Sequence, residues 1–97
     1  MVGVGLGGGM TEVIDDVAFA RAPLDFAGAM DVLDSLRTLG RLPEFLSQLQ
    51  RELAADFVAR FSALVATAPW RQFTFEVNPL KLGPDAVAAV DGLLLIE

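Results

Sequence analysis

Phe73-Thr74-Phe75-Glu76-Val77-Asn78-Pro79-Leu80 alternates apolar and polar side chains from Phe73 to Asn78. In an extended chain, Phe73, Phe75 and Val77 fall on one side and Thr74, Glu76 and Asn78 on the other. The stretch therefore reads as a half-buried strand whose open face sets a carboxylate and a carboxamide two residues apart. Such a face is either solvated surface or a place to hold a hard cation. Gly83-Pro84-Asp85-Ala86 follows, and Pro at the second position with Asp at the third suits a type I turn. A two-residue loop at Pro84-Asp85 would set Asn78 directly across the hairpin from Asp91, their Cβ atoms about 5 Å apart. Oxygen ligands at that separation suit a magnesium ion on nucleotide phosphates.

Upstream of this hairpin, Pro43 suits the first turn of a helix predicted over 43–67, which Pro69 ends. Its apolar stripe is Leu46, Leu49, Leu53, Phe57, Phe61 and Leu64. Trp70 is expected to fill the helix-to-strand corner. A shorter helix is predicted over 26–39, capped by Asp25 and stopped by Gly40, with Phe26, Met30, Leu33 and Leu36 on its buried side. Thr11 to Arg21 reads as two short strands joined by turn residues near Asp15-Asp16. Further strands are predicted at about 72–78 and 86–96. The order β-β-α-α-β-β predicts one α+β domain over residues 1–97. Its mostly antiparallel sheet should carry two helices on the face bearing Phe73, Phe75 and Val77.

Ninety-seven residues suffice for a modest core but not for two domains. The net charge of −6, with seven basic residues scattered along the chain, argues against a nucleic-acid surface. Cysteine and histidine are both absent. That removes disulfides, thiolate zinc sites, a thiol nucleophile, the commonest general base and any phosphohistidine on this chain. Hydrophobic residues make up 54% of the chain, yet no run approaches the roughly 18 residues of a membrane span. Met1–Met10 lacks the charged start and apolar core of a signal peptide, so the expected location is cytoplasmic. The apolar excess fits a surface covered by a partner, by another subunit of a homo-oligomer, or by a missing part of the same protein. An Ala-rich and Leu-rich core explains it equally well. Gly3, Gly5 and Gly8 formally spell G-x-G-x-x-G, but only Met1 and Val2 precede them, where a dinucleotide site needs a strand.

These landmarks, in this order, resemble the C-terminal half of an ATP-grasp domain, and in particular that of the NDP-forming acyl-CoA synthetases (ADP-forming acetate–CoA ligases). Gly5 to Leu24 is similar to the family's glycine loop, with its following Glu, Asp-Val pair and Arg-x-x-Pro-like close. Glu76-Val77-Asn78-Pro79-Leu80 with Val90-Asp91 resembles the family's (D/E)-x-N-P-L strand and later Val-Asp. The likeness spans essentially all 97 residues.

The resemblance implies phosphoryl transfer in the conversion of acid, CoA and ATP to acyl-CoA, ADP and phosphate, through an acyl phosphate and a phosphohistidine. By matching, Asn78 and Asp91 would be Mg²⁺ ligands, with Glu76 a third or supporting acid. Gly7, Gly8 and Glu12 would line the nucleotide or phosphohistidine side of the cleft. ATP and Mg²⁺ are thus the cofactors implied for the complete enzyme. The family's phosphate-binding lysine and adenine hinge lie in an earlier subdomain, which this chain does not contain. Its CoA-binding and ligase domains are missing too, and Leu39 to Pro43 replaces its Arg-Gly loop. The chain is therefore expected to need the remaining ATP-grasp half as partner and to be inactive alone. A noncatalytic module that keeps the half-fold and binds a partner subunit is the alternative. Neither nucleic acid nor membrane is an expected partner.

Overall fold

Two antiparallel hairpins bracket a set of packed helices in the computed structural model, which describes residues 1–5, 16–77 and 80–96. Strand β1 (Val2–Gly5) pairs with β2 (Val17–Ala20), running from Val2 opposite Ala20 to Gly5 opposite Val17. Alternation sends Val2 and Val4 towards the core and leaves Gly3 and Gly5 on the outer side. Those glycines are required by their neighbours. A Cβ on Gly3 would stand 2.8 Å from the ring of Phe19, and one on Gly5 would stand 2.6 Å from Val17. The start of the glycine run is thus a strand, with the Phe19 and Val17 side chains of the facing strand close to Gly3 and Gly5.

Helix α1 (Phe26–Asp34) starts where sequence predicts, with the Asp25 carboxylate accepting the Gly28 N–H at 2.7 Å. It ends earlier than the predicted 39, because Ser35 turns and Leu36 is extended before the short helix α2 (Arg37–Arg41). Phe26 is exposed rather than buried, whereas Leu33 and Leu36 reach the core. The helix predicted over 43–67 is also divided. Pro43–Phe45 forms a 3-10 turn, and α3 (Gln48–Ala66) starts only after Ser47. Ser47 and Gln50 form a reciprocal capping box, a stronger start signal than Pro43.

The core consists of Val2, Ala29, Leu33, Leu36 and Leu39 against Ala54, Ala55 and Val58 of α3. Small residues let α1 and α3 approach closely, so the deepest side of α3 is Ala, Val and Ser, not the Leu and Phe stripe. Leu49 and Leu64 are exposed. Phe57 and Phe61 stack at 6.1 Å, and Phe61 meets Phe75 of the second hairpin at 5.2 Å. Fully buried Ser62 accepts the Leu24 N–H at 2.7 Å, fixing the chain just before α1.

The second hairpin comprises β3 (Phe73–Val77), β4 (Leu80–Leu82), β5 (Val87–Ala89) and β6 (Gly92–Ile96). β3 pairs with β6 and β4 with β5, and both ladders keep one register, with Val77 opposite Gly92 and Leu80 opposite Ala89. The Gly83 N–H donates to the Ala86 carbonyl at 2.8 Å, so Pro84-Asp85 is the two-residue loop expected. Gln50 of α3 donates its side-chain amide to the Gly83 carbonyl at 3.0 Å, tying the helix start to the hairpin tip. The architecture is α+β with small antiparallel sheets. No helix among the described residues is long and apolar enough to cross a membrane.

Candidate functional site

β3 shows the predicted two-sidedness, with Phe73, Phe75 and Val77 half-buried and Thr74 and Glu76 exposed. Glu76 stands opposite Leu93, and Asp91 lies two residues before Leu93, so alternation brings both carboxylates to the open side of the hairpin. They line one concavity of about 220 Å³ together with Gly92 and Leu93. Asp91 is held by its own backbone, its Oδ1 accepting the Gly92 N–H at 2.8 Å. That bond engages Oδ1 and fixes the side chain beside the concavity that it lines.

Asn78, Gly7, Gly8 and Glu12 lie outside the described residues. For the expected metal the test therefore falls on Glu76 and Asp91. Among the described residues, no group of three or more His, Cys, Asp or Glu side chains is disposed to hold a metal. The pair nevertheless has the right chemistry for Mg²⁺, which takes one or two carboxylates and completes its octahedron with water and phosphate oxygens. Two exposed carboxylates on one concavity fit that requirement, and they would make a site only in combination with a bound phosphate.

Asp16 departs from its predicted role as a turn residue. It is buried just before β2, and its two carboxylate oxygens accept the N–H groups of Arg37 and Thr38, each at 2.8 Å. The Thr38 N–H does most to hold its pKa below the usual carboxylate range, joined by Arg37, while burial opposes the shift. Leu36, at the cap position of α2, has no side chain that can satisfy those donors. That lack of a local cap was the sequence signal that a distant residue must supply one.

A second, larger concavity of about 760 Å³ lies between the hairpins, floored by Phe61, Val65 and Ala66 of α3. Arg71 reaches it from the loop after α3. Trp70 sits at the corner, as expected, with its ring edge-on to Phe73 at 5.8 Å, although it remains partly exposed.

Three solved structures match this fold, all of the dinucleotide forming acetyl-coenzyme A synthetase 1 of Ca. Korarchaeum cryptofilum. One is in complex with coenzyme A and Mg-AMPPCP, with its phosphohistidine segment pointing towards the nucleotide-binding site, and superposes with a TM-score of 0.80 at 21% identity. The apo form gives the same TM-score and identity. A third, with coenzyme A, acetyl-coenzyme A and a phosphorylated phosphohistidine segment, gives 0.79. Each likeness covers 98% of this chain but only 43–46% of the other, so the chain spans less than half the length of those relatives. No curated protein matches the chain. The ATP-grasp domain family matches residues 1–96, and with sequence and fold in agreement the chain belongs to the ATP-grasp family.

Proposed function

We propose that this chain is the C-terminal ATP-grasp portion of an NDP-forming acyl-CoA synthetase, converting acid, CoA and ATP to acyl-CoA, ADP and phosphate. The observation that carries this reading is the meeting of Glu76 and Asp91 on one concavity of an ATP-grasp fold. Mg²⁺, when bound with nucleotide, offsets the negative charge of the phosphates during transfer. Asp91 would supply a charged oxygen to it, Asn78 a neutral carbonyl oxygen, and Glu76 a further acid. Glu76 and Asp91 already line one concavity, which supports their acting on one ion. Gly7, Gly8 and Glu12 are assigned to the nucleotide side of the cleft. The rest of the enzyme supplies the phosphate-binding lysine, the adenine pocket and the histidine, as a partner subunit or domain in the cytoplasm.

The chain alone is accordingly inactive, and acetyl-CoA should form from acetate, ATP and CoA only after the complementary ATP-grasp half and the ligase domains are added. Formation by the pure 97-residue protein would overturn the proposal. So would failure of the completed enzyme to lose phosphoryl transfer on Asn78→Ala or Asp91→Ala.

A further inference from the structure

In the second hairpin Val90 and Asp91 lie between the two ladders, after β5 and before β6. Ladder bonds stiffen each part but not the junction, so the angle there depends on what holds the two parts. α3 holds both. Phe61 meets Phe75 of the first ladder, with ring centroids 5.2 Å apart. Gln50, near the start of α3, donates its side-chain amide to the Gly83 carbonyl at the tip of the second ladder, at 3.0 Å. Leu82 of that ladder also packs on the core. Apolar contact is non-directional, whereas a hydrogen bond fixes distance and direction together.

Gln50 uses both ends of its amide. Its Oε1 accepts the Ser47 N–H at 2.9 Å and so caps the helix, while its Nε2 reaches Gly83. The cap needs only an acceptor, which a glutamate supplies equally well at this position. The donor half of the amide is used by the tie to the hairpin.

We infer that Gln50 is a positioning residue for the concavity that Glu76 and Asp91 line. By holding the hairpin tip on α3 it sets the junction between the ladders, and with it the place of Asp91 relative to Glu76. Gln50 does not line that concavity, so it acts through the hairpin. Mg²⁺ demands near-ideal octahedral geometry, and a shift of about 1 Å in one ligand is enough to weaken such a site. The inference rests on the reading of this concavity as the Mg²⁺ site.

The test is calorimetric titration of Mg-AMPPCP into the completed assembly. Gln50→Glu keeps the acceptor that caps α3 and removes the donor, so it should weaken binding about fivefold. Gln50→Met adds no charge and should weaken binding to the same extent, which separates the lost tie from an added charge. Ser47→Ala gives up the cap but keeps the tie. It should lower the melting temperature of the chain while binding like the native protein. On an Asp91→Ala background, Gln50→Glu should have no further effect, because it acts through that carboxylate. Native affinity in Gln50→Glu and Gln50→Met, with Asp91→Ala weakened, overturns the positioning role and leaves the metal site standing. Equal weakening by Ser47→Ala assigns the effect to helix stability and overturns the role as well. If Asp91→Ala binds like the native protein, the metal reading itself fails, and this inference with it.

Discussion

The carboxylate of Asp16 spans the gap between the first hairpin and α2, satisfying two N–H groups that no local residue can reach. Asp16→Asn keeps the shape but offers only one acceptor oxygen, so it should lower the melting temperature. The pH dependence has a definite sign. A carboxyl whose folded pKa is depressed stabilises fully above its unfolded pKa, near 4, and loses that contribution as pH falls towards the folded value. Chemical denaturation of the native chain should therefore weaken below about pH 4 more steeply than that of Asp16→Asn. Equal slopes would contradict the assigned role. Gly5 gives a second test. Its absent Cβ would stand 2.6 Å from Val17 and 3.1 Å from the Asp16 carbonyl. Gly5→Ala should cost about 1–3 kcal/mol in denaturant unfolding.

α3 shows how much of an element a sequence reveals. Its existence and its end before Pro69 are legible from apolar spacing and the proline, but its start depends on which of two signals wins. Ser47 and Gln50 satisfy two backbone donors between them, which proline cannot do, so the helix opens at Gln48 and Pro43 is left in a 3-10 turn. Ser47→Ala should lower stability by about 1 kcal/mol. Gln50→Ala should cost more, since it also breaks the tie to Gly83. The second hairpin was legible in register because Pro84-Asp85 fixes the loop, and a one-residue slip would expose Phe73 and Phe75. The burial order on α3 was not legible. Leu and Phe outrank Ala by hydrophobicity, yet close packing of α1 against α3 places Ala54 and Ala55 deepest. Phe75→Ala removes a half-buried ring and its contact with Phe61, and should cost about 2–3 kcal/mol by the same measurement.

Taken as one body, the chain leaves much apolar surface uncovered. Leu93 to Ile96 are exposed on both sides of β6, and Phe19 is exposed on β2. That pattern agrees with a chain that spans less than half of its structural relatives. The apolar excess in the composition was legible from sequence, but where it emerges depends on tertiary packing. The acidic pair was legible because both residues sit at fixed offsets from the loop. The buried role of Asp16 was not, since it depends on contact with a helix more than 20 positions away. The central claim is that the open side of the second hairpin holds Mg²⁺ on nucleotide phosphates once the enzyme is complete. Its most direct test is calorimetric titration of Mg-AMPPCP into the completed assembly, with native chain and with Asp91→Ala. Loss of a charged ligand should weaken binding at least tenfold, with the thermal unfolding of the chain unchanged. Equal affinity for the two assemblies would contradict it.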